Sequence, residues 1–451
     1  MGIQLEEMLL ARERRADFQR ELLLKYGCTL ICLTMNIAGE EKRFEGADRL
    51  FDAGVRLIDA QLTRHRAGVL FRALRDRDTG REGYWAADAP PETVKKMMVR
   101  IEDAFDAARL FDIDVLNAGG DKLSRGDMGA PPRRCLICDD AAAACARSRR
   151  HGLDAVTQRT RQLIADYLDG VAADRIAALA TRSLLTEVCV TPKPGLVDRA
   201  NAGAHRDMDI FTFVDSAAAL TPYFKACALK GLRSAAASPA RLFASLRYIG
   251  QCAEADMLTA TRGVNTHKGA IYSMGILCAA AGRLFAESGH TAALTPERLG
   301  LLCAGMTAGE ARRELDAIAE AGAQTAGGRF WLQHGIAGIR GEVASGFESV
   351  RNISLPVLKA LLAEGYSLND AGAIALLHLM ANTTDTNVIS RAGLLRQRAL
   401  QASLRALLEK TPYPEPAVLN ALDANLTAEN ISPGGCADLL AITFMLHFLC
   451  E

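Results

Sequence analysis

The sequence carries no net charge, since lysine plus arginine and aspartate plus glutamate number 53 each. A chain so balanced holds no general attraction for nucleic acid or an anionic membrane surface, so an anionic ligand must be met by cations gathered locally. No uninterrupted apolar run reaches the ~18 residues that span a bilayer. The opening residues Met1-Gly2-Ile3-Gln4-Leu5-Glu6-Glu7 turn acidic before a signal core can form. A cytoplasmic protein that binds neither nucleic acid nor membrane is expected. A nucleotide P-loop is also missing: Gly263 to Gly269 carries glycines and a lysine, but not the Gly-x-x-x-x-Gly-Lys-Ser/Thr spacing, and no strand pattern precedes it. Cysteine is not scarce, yet most of the twelve, such as Cys227, Cys278 and Cys303, lie in alanine-rich apolar segments where a thiol acts as a small hydrophobe. Structural disulfides are not expected.

A chain of 451 residues is long for a single core, and its patterning changes part-way. Residues 1–160 alternate two periods. Helices are expected over Glu6 to Tyr26, Phe51 to His65 and Glu92 to Ala108. Strands are expected over Cys28 to Asn36, in a hairpin from Gly68 to Asp88 turned at Asp78-Thr79-Gly80, over Arg109 to Leu116 and over Arg133 to Cys138. Residues 161–451 become alanine- and leucine-rich with three-and-four spacing; Ile210, Phe213, Val214, Ala217, Leu220, Phe224 and Cys227 share one helical face. Further helices are expected at about 241–260, 266–286, 296–320, 342–363, 369–381, 391–409 and 436–450. The expectation is therefore a multi-domain protein, an α+β domain followed by an all-α domain, joined within a helix.

In the second domain the chemistry is expected in the glycine- and proline-rich connections. Thr191 to Asp209 is the densest. Pro192 and Pro194 fix the backbone around Lys193, and Asp198, Arg199, His205, Asp207 and Asp209 follow. Gly263 to Gly269 opens a helix, so its free N–H groups and positive dipole end, with Lys268 and His267, suit a phosphate. Arg340-Gly341-Glu342 follows a glycine-rich loop, Asp385-Thr386-Asn387 precedes Arg391, and Ser432-Pro433-Gly434-Gly435 opens the last helix with bare amides. Glu254 lies on a helix just before the Lys268 loop. Each loop alone would serve as an ordinary helix cap; five in one all-helical domain suggest a polyphosphate pocket.

These loops, in this order, resemble the signature motifs of triphosphoribosyl-dephospho-CoA synthases: Thr191-Pro-Lys-Pro-Gly-Leu-Val-Asp198-Arg199, Gly203-Ala-His205, Asp207-Met-Asp209, Gly263-Val-Asn-Thr-His-Lys-Gly269, Asp385-Thr-Asn387 and Ser432-Pro-Gly-Gly435. The resemblance runs from about residue 175 onward. It implies that ATP and 3'-dephospho-CoA give 2'-(5''-triphosphoribosyl)-3'-dephospho-CoA and adenine. Breaking the ribose–adenine bond builds positive charge on the sugar, so a nearby carboxylate and a base for the attacking 2'-hydroxyl are needed. Asp207, Asp209 and Glu254 are the candidates, the two aspartates also as Mg²⁺ ligands. Lys193, Arg199, Lys268 and Arg340 would grip the triphosphate, with His205 or His267 able to protonate departing adenine. Asp385, Asn387, Arg391, Ser432, Gly434 and Gly435 complete the expected binding set.

In the first domain, Asp112 and Asp114 stand two apart on an expected strand and so share a face. Carboxylates so close repel unless a cation sits between them, which is how Mg²⁺ is held against a triphosphate. Arg109, Arg125, Arg133 and Arg134 add anion-binding capacity. Cys135 and Cys138, with Cys145 and His151 downstream, have spacing compatible with zinc; against that, a strand followed by a helix does not obviously converge four ligands. Arg12-Glu-Arg14, Arg109 to Leu116, Leu123-Ser-Arg125, Pro132-Arg-Arg-Cys-Leu-Ile-Cys138, Cys145-Ala-Arg147 and His151 resemble the phosphoribosyl-dephospho-CoA transferases that mature citrate lyase. That resemblance implies attachment of the nucleotide to a serine of the apo acyl carrier subunit with release of pyrophosphate. The alternatives are an equivalent maturation factor for malonate decarboxylase and a non-catalytic assembly factor that binds the carrier.

Overall fold

The structure is a computed structural model that describes residues 3, 5–138, 140–289, 293–321 and 336–451. The chain divides into two compact units, Met1–Gly170 and Val171–Glu451.

The first unit is built on a four-stranded antiparallel sheet of β1 (Thr29–Met35), β2 (Gly68–Arg75), β3 (Glu82–Asp88) and β4 (Phe111–Leu116), in the order β2-β3-β1-β4. Alternation along β1 sorts its two faces. Ile31 and Leu33 pack with Leu50, Phe51 and Ile58 of α2 (Glu45–Arg64) and Met98 of α3 (Pro91–Glu102). Leu30 and Cys32 pack on the other side with Phe18 and Leu22 of α1 (Leu5–Tyr26). Both faces being covered, Tyr84 and Trp85 of β3 are fully buried in succession.

Two expected elements differ here. The helix expected to run to Ala108 stops at Glu102 and gives way to a 3₁₀ turn, Asp106–Leu110, which places Arg109 ahead of β4. The strand expected over Arg133 to Cys138 does not form; an isolated bridge between Arg134 and Ala141 closes a tight loop. Pro131 and Pro132 withhold two ladder donors at its entrance, and the short helix α4 (Ala142–Ser148) follows.

Helices are the regular structure of the second unit among its described residues, joined by loops of which Thr191 to Asp209 is the longest described. α5 (Leu153–Cys189) runs across the division between the units, and α6 (Ile210–Leu232), α7 (Pro239–Ala260), α8 (Lys268–Glu287) and α9 (Pro296–Ala321) follow. The segment expected as one helix over 342–363 is instead α10 (Gly338–Ala344), a π turn at Val350–Ser354 and α11 (Leu355–Ala363), because Gly346 and Phe347 both take positive φ. α12 (Leu368–Asn382), α13 (Thr386–Lys410, kinked at Gly393), α14 (Pro416–Ala428) and α15 (Gly434–Cys450) complete it. α14, which opens on a helix-compatible proline, is absent from the helices expected. Most of the glycine-rich stretch ahead of Arg340 lies outside the described residues.

α8 is the one described helix long and apolar enough to cross a membrane, and it is buried at the centre of this unit. It crosses α6 so closely that a Cβ on Gly231 would strike the Ala279 carbonyl and one on Gly282 the Ala228 carbonyl. That crossing positions the start of α8, which carries Lys268 and Gly269.

Candidate active sites

A cavity of about 780 Å³ opens in the helical unit where the Thr191 loop, the start of α8, α10, the start of α13 and the start of α15 meet. This is a size that holds small-molecule ligands. Lys193, 2% exposed, lies at its base in an ion pair with Glu187 of α5. The turn that carries Lys193 is held by Asp198, which accepts from the Lys193 amide at 3.0 Å and the Ala200 amide at 2.7 Å. Asp423 of α14 clamps the same loop through Gly195 N and Asn201 Nδ2.

His267 is buried in the cavity wall. Its Nδ1 lies 2.7 Å from Ser216 Oγ, while Nε2 has no hydrogen-bond partner. Thr266 Oγ1 donates to Ser216 Oγ at 2.8 Å, so the Ser216 proton goes to Nδ1 and Nε2 carries the ring hydrogen. Burial, aided by the Lys193 charge, pushes the His267 pKa down to about 3, so the ring is neutral. His205 Nε2 lies 2.8 Å from Ser432 Oγ, and burial followed by the nearby Arg391 lowers its pKa also.

Asp385, Asp438 and Glu342 also line the cavity. Asp385 caps α13 and also accepts from the Cys436 amide of α15 at 2.8 Å, tying two helix starts together. Asp438 sits one turn inside α15, against Gly269, where any side chain would collide with its carboxylate. Burial raises the pKa of Glu187, Asp385 and Asp438; for Asp438 the charges of Glu187 and Asp385 add to the effect. Glu342, which accepts from Ser349, is raised by burial as well.

The other expected residues divide. Asp207, Lys268, Asn387, Arg391, Ser432, Gly434 and Gly435 line the cavity. Asp209, Glu254, Arg199 and Arg340 do not. Asp209 forms a capping box with Thr212 at the start of α6, and that backbone hydrogen bond lowers its pKa. Glu254 pairs with Lys268 at 2.9 Å from outside the lining. Arg199 is stapled to Asn369 at 2.9 Å and to Thr191.

In the first unit, Arg109, Arg125, Arg133 and Arg134 line one cavity of about 1080 Å³ together with Glu102 and Asp103. Glu102, 1% exposed, accepts from the Ile113 amide at 3.1 Å and pairs with Arg133 and Arg125; burial raises its pKa. Arg109 donates to the Arg134 and Cys135 carbonyls at 2.8 and 2.6 Å. Asp112 and Asp114 share one face of β4, outside that lining, and each meets a cation: Arg133 at 3.7 Å from Asp112, and Lys122 beside Asp114. Arg133 thus touches both the cavity carboxylate and the strand carboxylate.

The family profile described as ATP:dephospho-CoA triphosphoribosyl transferase matches residues 173–451, and that described as apo-citrate lyase phosphoribosyl-dephospho-CoA transferase matches residues 3–167. The chain belongs to both families. Two relatives share the pairing. Protein CitXG of Haemophilus influenzae is 36% identical over 99% of this chain and 96% of its own, and Protein CitXG of Leuconostoc mesenteroides is 31% identical over 98% and 97%. The 2-(5''-triphosphoribosyl)-3'-dephosphocoenzyme-A synthase of Pectobacterium atrosepticum is 41% identical over 64% of this chain and 93% of its own.

For a transferase joining these two families, the cavity carboxylates that went unnamed in the sequence are Glu187, Asp438 and Glu102, and Glu342 was noted only as part of the Arg340 loop. A signal existed for two of them. Asp438 is a lone carboxylate in the otherwise apolar α15, and Glu187 interrupts the apolar end of α5; a charge in such a place needs a partner or a ligand.

Proposed function

We propose that this transferase makes and then attaches the prosthetic group of citrate lyase. In the helical unit, the 2'-oxygen of 3'-dephospho-CoA attacks the ribose C1 of ATP, the bond to adenine breaks with its electron pair leaving on the base, and the departing adenine takes a proton from solvent as the 2'-hydroxyl gives its own up. The observation that carries this reading is the cavity that Lys193, Lys268 and Arg391 line together with the buried carboxylates Glu187 and Asp385 and the half-buried Asp438. Cations suit a triphosphate that stays on the transferred ribose, and buried carboxylates suit a sugar that becomes positive as the bond breaks. Asp207, exposed at the rim beside His205, is the base for the 2'-hydroxyl proton. His267, held neutral by burial in the cavity wall with Nε2 lacking a partner within the protein, is assigned a hydrogen bond to the substrate rather than a proton to adenine.

The donor set fits Mg²⁺, which takes one or two carboxylates together with substrate phosphates. Asp438 and Asp385, which line the cavity, would hold it in this unit, whereas Asp209 lies outside the lining; in the first unit Asp112 and Asp114 would. When bound, Mg²⁺ supplies neutralisation of phosphate charge.

In the first unit, Arg125, Arg133 and Arg134 bind the triphosphate of that product. A serine oxygen of the apo acyl carrier subunit attacks the phosphorus nearest the ribose, pyrophosphate leaves, and a phosphodiester remains. The match of this unit to the citrate lyase family leaves the malonate decarboxylase alternative without support, and membership of two transferase families does the same for a non-catalytic assembly factor.

Purified chain incubated with ATP, Mg²⁺ and 3'-dephospho-CoA should release adenine in a dephospho-CoA-dependent manner, without matching ADP or AMP. Addition of the apo carrier should then shift its mass by the nucleotide. Folded protein that yields no adenine across several divalent metals would overturn the reading.

A further inference from the structure

Cys135, Cys138, Cys145 and His151 place one ligand atom each within 4.8 Å of all the others. Cys138 Sγ lies 3.5 Å from Cys145 Sγ and 3.3 Å from His151 Nε2. A tetrahedron with Zn–S of ~2.3 Å and Zn–N of ~2.0 Å has edges of roughly 3.5–3.8 Å, so the two shortest separations are close to those of ligands around one ion, and the others need only a small contraction onto it. The loop is shaped for it. The tight turn from Cys135 to Cys138 points an amide at a sulfur, Ile137 N to Cys135 Sγ at 3.5 Å. α4 then contributes Cys145, and the left-handed turn at Arg149 returns the chain so that His151 meets Cys138. A disulfide would use two of the sulfurs and leave the third thiol and the imidazole unexplained; all twelve cysteines are free thiols.

We infer that these four residues form a structural Zn²⁺ site that neither family description mentions. Three thiolates and one imidazole select zinc over hard oxygen-seeking cations. Four protein ligands close the shell, so the ion carries no substrate. Its function is positional: it fixes the loop that runs from Pro131 into α5. Arg109 grips that loop at the Arg134 and Cys135 carbonyls, and from it Arg133 reaches Glu102. Binding releases the thiol protons to solvent, leaving thiolates on the metal. The positional consequence rests on the transferase reading of this unit; the metal site itself does not.

The test is metal analysis of the full chain purified without chelator or affinity metal. About one zinc per chain is expected. Cys138→Ser and Cys145→Ser should each lose most of it, while Cys252→Ser, at an exposed cysteine outside the cluster, keeps it. Cobalt-substituted protein should show a thiolate-to-cobalt charge-transfer band that Cys138→Ser lacks. Zinc removal should abolish carrier labelling yet leave adenine release intact, which also shows that the remainder of the chain is folded. Zinc-free protein with no cobalt band, zinc content undiminished in both serine variants, or a Cys138–Cys145 peptide lighter by two hydrogens would each overturn the site.

Discussion

Replacing Lys193 with methionine removes the cation that neutralises Glu187 while keeping the side chain's volume. Both partners are almost wholly buried, with side-chain exposures of 2% and 4%. Breaking such a pair from one side strands a charge, which costs roughly 3–5 kcal/mol. The penalty carries its own signature. Burial already raises the Glu187 pKa against the opposing effect of Lys193, and K193M raises it further. A carboxyl whose folded pKa exceeds its unfolded value takes up a proton on folding, so its stability contribution is full at low pH and lost as pH rises through the folded pKa. K193M should therefore melt well below wild type at pH 8 and approach it as pH falls toward 5. The double variant K193M/E187Q, with no stranded charge, should recover most of the loss at every pH. Adenine release should be absent from both, because the cavity then lacks a cation at its base. Differential scanning calorimetry across pH and chromatographic adenine detection read the two effects separately. If K193M/E187Q regains adenine release together with stability, Lys193 is a structural residue and the assignment of triphosphate binding to it is refuted.

Other outcomes follow from the same geometry. Asp112→Asn should abolish carrier labelling in a mass assay and spare adenine release; loss of both would contradict a division of labour between two sites. Asp209→Ser, which replaces one good N-cap with another, should retain adenine release at near wild-type kcat, whereas a collapse would show that its carboxylate binds metal or substrate. His267→Gln should lower kcat for adenine release by roughly 10²-fold, as removal of a preorganised donor does. It should do so without changing the shape of the pH–rate profile, since a ring with a pKa near 3 does not titrate in the working range; a wild-type inflection near 6.5 that the variant lacks would refute the neutral-donor role. That same depressed pKa means the unfolded chain binds the proton first, so His267 makes the helical unit less stable as pH falls below about 6.5.

What could be read from the sequence follows how each residue declares itself. Lys193 and Ser432 sit in loops whose prolines and glycines have no other obvious use, and both line the helical cavity. Arg199 and Glu254 stand close along the chain to cavity residues but lie away from its lining, because sequence separation does not say which way a turn or helix aims a side chain. Asp438 and Glu187 were passed over since a single charge inside an apolar helix disturbs the periodic pattern without breaking it. In the first unit the strands Thr29–Met35 and Glu82–Asp88 were legible as an expected strand over Cys28 to Asn36 and the second arm of a hairpin, and both of their faces are covered by helices. The segment Arg133 to Cys138 was misread because Leu136 and Ile137 mimic a short strand, while the turn between the two cysteines becomes evident only when Cys145 and His151 are seen beside it.

The continuity of α5 bears on how the two activities can be studied apart. Leu163, Ile164 and Leu168 belong to the core of the first unit, and Ala173, Ile176, Ala177, Ala180 and Leu184 to that of the second. No linker intervenes for a protease to find or for an engineer to cut. A half-chain that begins or ends at residue 160 would strip three core side chains from the first unit and hang an unpaired, partly apolar helical overhang on the second. Separately expressed halves should therefore be divided between Leu168 and Ala173, and the poor solubility of a half cut elsewhere would reflect a frayed shared helix, not a catalytic dependence of one activity on the other.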